Sequence, residues 1–292
     1  MYAVMGASGK TGRAVAFGLL EQGRPVRVVL RPGREGQDWK ERGAEVAHAD
    51  VHDAAALTTA FAGARAAYVL NPPDYASEDM HASARDVAAN YAEAARSAGT
   101  RLVALSSIGA QHADGTGNIV TTHLLEQALR PLDASFVRAG NFLTNWLPSL
   151  PAMRGGVLPS FFTPLDRPVP HSAVADIAVT VVRELLRDDS RTIELAAAAD
   201  YAPDDIAAAF AQALGRNVTA QAVPRAQWRA VHAGMGLPDA AIDNWVQMWD
   251  AFNGGLIRFE GTPERGATSA AAFAAEAVAG AAGVADTAEA DR

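Results

Sequence analysis

Gly6, Gly9 and Gly12 recur at three-residue spacing in the opening stretch Met1-Tyr-Ala-Val-Met-Gly6-Ala-Ser8-Gly9-Lys10-Thr11-Gly12. An apolar strand runs there into a glycine-rich turn and then a helix, Arg13 to Glu21. That order suits capture of a pyrophosphate. A turn this tight needs Gly6, where a side chain would clash or demand positive φ. Gly9 clears the approach to the helix N-terminus, whose free N–H groups and partial positive charge attract anions. Gly12 lets the helix lie close on the strand. Ser8, Lys10 and Thr11 complete the phosphate-facing set, and Lys10 adds a cation. The spacing G-x-x-G-x-x-G is not the G-x-G-x-x-G of ordinary dinucleotide dehydrogenases, and glycines of this kind also serve plain tight turns.

The second strand bears on which nucleotide. Pro25-Val-Arg-Val-Val-Leu30 is β-branched, and it ends about 20 residues past the turn, where dinucleotide folds meet the adenosine ribose. An acidic residue there would accept from the 2′-OH of NAD. The chain has Arg31-Pro-Gly-Arg34 instead. A guanidinium pairs with a 2′-phosphate and stacks on adenine, which favours NADP(H) over NAD(H). A solvated basic loop is the competing role.

These residues need a frame that brings strand ends to one edge. Strands are readable at Tyr2–Met5, Val26–Leu30, Glu45–His48, Ala66–Leu70, Leu102–Ser106, Ser135–Arg138 and Thr192–Ala196, separated by alanine-rich helical stretches such as Asp79–Ser97. The alternation predicts an α/β fold, a Rossmann-type doubly wound parallel sheet with a smaller C-terminal α/β lobe. Residues 1–200 are expected to form the nucleotide-binding domain, with 143–166 contributing to the cleft. The lobe is expected at 201–279, and an alanine-, glycine- and acid-rich tail at 280–292 to be disordered.

Composition narrows the partners. The 292 residues are 49% hydrophobic and 20% charged, with net charge −8 and pI about 5.4. An acidic chain without a basic cluster is a poor nucleic-acid binder. Cysteine is absent, which removes disulfides, thiolate nucleophiles and thiolate-held metal centres. The histidines lack paired ligand spacing, and no motif calls for flavin or metal. No apolar run approaches the ~18 residues of a membrane helix, and no secretory leader pattern opens the chain. A cytoplasmic protein with no membrane partner is expected, and a homodimer is left open.

Further segments carry a family resemblance. They are MGASGKTG at the start, Arg31, Ala49-Asp50-Val51-His-Asp53, Leu70-Asn71-Pro72-Pro73, Leu105-Ser106-Ser107, Val137-Arg-Ala-Gly-Asn-Phe142 and Pro170-His171-Ser-Ala-Val-Ala-Asp176-Ile-Ala178. In these, over roughly its first 275 residues, the chain resembles the NmrA-like branch of the atypical short-chain dehydrogenase/reductases, including bacterial type-2 quinone oxidoreductases and azo-dye reductases. The resemblance implies that Asp50 and Val51 lie at the adenine, Asn71 and Pro72 at the nicotinamide ribose, and Ser106 and Ser107 facing the nicotinamide. Beside these roles stand plainer ones. Asp50 can cap the next helix in competition with Asp53, Asn71-Pro-Pro can be a rigid loop, one serine can cap a turn, and Arg138 can be a structural ion-pair partner.

One departure bears on mechanism. Short-chain reductases usually place Tyr and Lys four residues apart after strand five, so that Lys lowers the Tyr pKa for proton transfer. Counted back from Glu126, those positions hold Asn118 and Thr122. Tyrosine-mediated relay is excluded there, leaving Ser107, Asn118 and His123 as candidate catalytic groups and Thr122 in the place of the ribose-binding Lys. For the acceptor, Tyr75, Phe142, Trp146, His171 and Trp228 are the candidates, since rings stack on flat apolar ligands, although packing in the core or lobe competes for most of them. Flat, strong hydride acceptors need chiefly positioning. The resemblance therefore implies an NADPH-dependent oxidoreductase acting on a quinone, an azo compound or a carbonyl, its partner a small aromatic substrate. The alternatives are a non-catalytic redox-sensing regulator that binds NADP(H) and, behind it, a phenylpropanoid-type reductase.

Overall fold

The computed structural model describes residues 1–290. Strands and helices alternate as expected through the first half: β1 (Tyr2–Met5), α1 (Lys10–Glu21), β2 (Val26–Leu30), α2 (Gln37–Glu41), β3 (Glu45–His48), α3 (Ala54–Phe61), β4 (Ala66–Leu70), α4 (Met80–Ala98), β5 (Arg101–Ser107), α5 (Val120–Leu129) and β6 (Ser135–Ala139). The second half holds β7 (Asn141–Phe142), α6 (Leu150–Arg154), β8 (Val157–Ser160), β9 (His171–Ser172), α7 (Val174–Leu186), β10 (Thr192–Ala196), α8 (Pro203–Leu214), β11 (Thr219–Ala222), α9 (Trp228–Ala233), α10 (Asp239–Asn253), β12 (Glu264–Arg265) and α11 (Ala270–Ala290).

Eight strands form one sheet in the order β3-β2-β1-β4-β5-β6-β10-β12, every neighbouring pair parallel. The central strands are apolar on both sides because each side is covered. Tyr2 and Val4 of β1 pack with Val15 and Leu19 of α1 and Val181 of α7, while Ala3 and Met5 pack with Leu57, Tyr91 and Leu125 on the opposite face. Period-two alternation thus feeds two cores from one strand. The strand order reverses between β1 and β4, and such a switch point opens a crevice at the carboxyl edge.

The smaller lobe is not one continuous segment. β8 pairs with β11 in parallel, Leu158 against Ala220, so residues before and after β10 build a single unit. Its core joins Leu143, Trp146 and Phe162 to Phe210, Trp228, Trp249 and Phe252. The chain then returns to the large sheet, where β12 pairs with β10. α11 continues through part of the stretch expected to be a disordered tail, as far as Ala290, and residues 291–292 lie outside the described residues.

Candidate functional site

Gly6 ends β1 with φ +66 at the switch point, and a Cβ there would lie 2.9 Å from Leu70 Cδ2 of β4. Gly9 donates its N–H to Gly6 O at 2.8 Å, closing the turn, and caps α1 without any side-chain cap. The first backbone bond of the helix is Arg13 N–H to Gly9 O, so the N–H groups of Lys10, Thr11 and Gly12 have no intrahelical acceptor. No acidic side chain occupies the first turn. Ser8, Gly9 and Lys10 are exposed. A Cβ on Gly12 would sit 2.4 Å from both Gly6 O and Met5 O, so only glycine allows α1 this close to β1. Uncapped donors, an open approach and a nearby ammonium together fit a pyrophosphate. Thr11 is different. Its side chain is buried and its hydroxyl accepts from Tyr68 at 3.0 Å, so only its backbone N–H faces outward chemistry.

Arg31 is exposed at the end of β2, in a turn closed by Arg34 N–H to Arg31 O at 3.1 Å. His48 binds Arg34 O at 2.9 Å, steadying that basic corner beside β3. Asp53 caps α3 by accepting from Ala56 N–H at 2.9 Å. Asp50 accepts only the His52 N–H, at 2.9 Å, and keeps its second oxygen. Val51 lends its carbonyl to Asn90. Asn71 is spent on structure, its amide donating to Ala84 O and Thr121 O. Pro72 follows it, half-buried.

Ser106 does not face a ligand. Its hydroxyl donates to Glu126 at 2.6 Å, deep beneath the edge. Glu126 in turn takes two hydrogen bonds from Arg138, both 2.8 Å, and Arg138 reaches Glu260 at 2.5 Å. The hydrogen bond to Glu126 raises the Arg138 pKa. Arg138 is thus a structural ion-pair partner that ties β6 to α5 and to the chain leaving the lobe. Ser107 donates to Ile108 O, and Thr122 donates back to Ile119 O, the residue just before its own helix. His123 donates Nδ1–H to Ala110 O at 2.8 Å, which leaves Nε2 for other chemistry.

Three expected acceptor-binding residues are lobe packing instead. His171 is fully buried, donates Nδ1–H to Val169 O at 2.7 Å and accepts the Trp146 indole N–H at 3.1 Å. Those two partners fix it as a neutral tautomer, and burial lowers its pKa to about 4. Trp146 is held by that bond. Trp228 is buried and donates to Val223 O at 2.8 Å. All three are drawn into the lobe core because their ring N–H groups find acceptors inside it. Phe142 is half-buried against the sheet core.

Tyr75 stays at the mouth, its ring 5.6 Å from that of Trp245 on α10. Burial raises its phenol pKa. Buried polar atoms without a hydrogen-bond partner concentrate on this side. They are Gln111 Oε1, Thr116 Oγ1 and both amide atoms of Asn118 in the loop after β5, with Thr144 Oγ1 and Trp245 Nε1 on the lobe. Trp245 had no local signal, since at helical spacing it reads as ordinary packing. Among the described residues no group of three or more His, Asp or Glu side chains is placed to hold a metal ion. Among them, too, no helix is long and apolar enough to cross a membrane.

A parallel eight-stranded sheet with a glycine turn at its switch point defines a Rossmann-type α/β protein. Within that class the chain belongs to the NmrA-like family, whose model matches residues 2–254. It is 25% identical over 252 residues to quinone oxidoreductase 2 of Escherichia coli (strain K12), covering 83% of this chain and 85% of that protein. It is 25% identical over 255 residues to the NAD(P)H azoreductase of Xenophilus azovorans, covering 85% and 86%. The crystal structure of the Citrobacter sp. triphenylmethane reductase complexed with NADP(H) superposes with a TM-score of 0.80 at 18% identity, over 95% of this chain and 100% of the other. The fold expected from the sequence is borne out.

Proposed function

We propose that the chain is an NADPH-dependent oxidoreductase that delivers reducing equivalents to a flat acceptor of the quinone or azo type. The observation that carries it is the uncapped start of α1 behind Gly9, set at the switch point of the sheet. The similarity to a quinone oxidoreductase and an azoreductase supports the acceptor class. The turn from Gly6 to Gly12 would hold the pyrophosphate, with Ser8 and Lys10 beside it. Arg31 would take the 2′-phosphate and Asp50 the adenine side, which is the basis for preferring NADPH to NADH. When bound, the nicotinamide supplies a hydride equivalent. The protein's share is placement and exclusion of water, because neither Asn118 nor Thr122 can run the proton relay of a Tyr/Lys pair. Ser107 and His123 Nε2 are the groups that would exchange a proton, and water suffices for a quinone or azo product.

The test mixes the protein with NADPH and a panel of quinones, azo dyes and carbonyls while nicotinamide absorbance is followed. Oxidation by at least one flat acceptor is expected. Tight NADPH binding with no oxidation by any acceptor would instead favour a nucleotide-sensing regulator, the second reading that the absent Tyr/Lys pair supports.

A further inference from the structure

Two guanidinium groups converge on one phenyl ring beside the glycine turn. Arg13, on the first turn of α1, has its guanidinium carbon 5.1 Å from the centre of the Phe17 ring, and that of Arg42 lies 5.2 Å away. The two charges are therefore no farther apart than those distances laid end to end. Trp39 of α2 packs on the same ring at 5.0 Å and is buried. Its backbone fixes one arm of the pair, because the Trp39 carbonyl accepts the N–H groups of Arg42 at 3.1 Å and Ala44 at 3.0 Å. Arg13 is fixed as firmly, its N–H closing the first backbone bond of α1 on Gly9 O.

Nothing among the described residues neutralises this pair. Arg27 of β2 meets Glu45 at 3.0 Å, whereas neither Arg13 nor Arg42 forms an ion pair or a side-chain hydrogen bond there. The first 42 residues carry eight Lys and Arg against four Asp and Glu, in a chain whose net charge is −8. Two like charges held against one ring repel each other, although the ring face attracts each of them. An anion between them removes the repulsion and gains charge-assisted hydrogen bonds from planar donors suited to phosphate oxygens. The N-terminus of α1 adds partial positive charge at the same end. We propose that Arg13 and Arg42, positioned by Phe17, clamp a phosphate monoester. The 2′-phosphate of NADP(H) is one source, because residues 31–36 lead from the end of β2 directly into α2 and Arg42 behind it. Free phosphate is the other. The nucleotide source rests on the oxidoreductase reading above, and the free-phosphate source does not.

The experiment titrates the full chain calorimetrically with NADPH, NADH and inorganic phosphate, in a phosphate-free buffer. Arg13→Gln and Arg42→Gln each remove one charge and keep a polar side chain. If the nucleotide fills the clamp, each variant binds NADPH about tenfold more weakly, the size of one charge-assisted hydrogen bond, and NADH within about twofold of the parent. If free phosphate fills it, the parent binds inorganic phosphate, both variants lose about tenfold, and the ratio of NADPH to NADH affinity stays put. Phe17→Leu keeps both charges and removes the ring, so it should lose about threefold in whichever arm responds, whereas Phe17→Tyr should match the parent. Circular dichroism checks that each variant is folded. Equal losses for NADPH and NADH, a loss in only one arginine variant, no loss in either arm, or a parent-like Phe17→Leu overturn the clamp, while parent binding of NADPH keeps the nucleotide reading. A parent that binds neither nucleotide overturns that reading, and the phosphate arm still decides the clamp.

Discussion

Arg138 and Glu126 meet in a bidentate ion pair, 2.8 Å at each contact, beneath the carboxyl edge of the sheet. Both side chains are almost fully buried, 5% and 1% exposed. Removing one partner strands a charge in low dielectric, at a cost of roughly 3–5 kcal/mol, whereas apolar replacement of both is often close to neutral. Glu126→Leu is therefore expected to lose about 3 kcal/mol, the lower end because Glu260 still reaches Arg138. The double variant with Arg138→Met should recover part of that loss. Chemical denaturation of both variants checks it, and a double variant weaker than Glu126→Leu alone would refute the pairing account.

Arg31→Ala should weaken NADPH by about 1.5–3 kcal/mol, as for a hydrogen bond to a charged group, and leave NADH nearly unchanged. Titration with both nucleotides decides this. Equal weakening would mean that the basic corner serves the fold alone.

Gly9→Val should abolish nucleotide binding in a folded protein. Even a Cβ there would stand 3.3 Å from Gly6 O, and the branched side chain would fill the approach to α1. Equilibrium dialysis with NADPH, alongside circular dichroism, gives the answer. Parent-like binding would place the phosphates elsewhere.

His171 makes stability depend on pH. Its folded pKa of about 4 lies below the ordinary value near 6.5, so the unfolded chain takes up the proton first as pH falls. Its contribution is complete above about pH 6.5 and declines steadily down to pH 4, a total of about 3 kcal/mol. His171→Gln, which cannot titrate, should flatten the stability profile within that window. A profile as steep as the parent's would remove His171 from the account.

Thr122→Ala and His123→Ala should each retain quinone or azo reduction within about a hundredfold, the lower bound for a real general acid. Both side chains already spend a donor on a backbone carbonyl. A loss of about ten-thousandfold for His123→Ala in steady-state kinetics would make its Nε2 the proton donor.

Much of this was legible in local sequence. Apolar runs and glycine punctuation located every strand of the sheet except β12, because a doubly covered central strand is apolar throughout and needs nothing distant to define it, whereas Glu264 and Arg265 carry no such signal. The phosphate turn was legible for the same reason. Trp146, His171 and Trp228 were not. An aromatic residue looks alike in a cleft wall and in a core, and the bond that joins Trp146 to His171 spans twenty-five residues of sequence. Ser106 likewise turned inward toward a carboxylate twenty residues away. Trp245 escaped notice because its distinction is a missing partner, which no periodicity records.

The short strand β12 has a practical consequence for anyone cutting the gene. Its two residues pair with Leu195 and Ala196 of β10, occupying groups that would otherwise face solvent as a bare sheet edge. A fragment ending near residue 200, the intuitive boundary of a nucleotide-binding domain, loses that cover and with it Glu260, the carboxylate that meets Arg138 from the lobe side. Unprotected parallel edges recruit further strands. Such a fragment should self-associate on expression, so the stretch that follows the lobe serves to close the sheet from which the lobe departs.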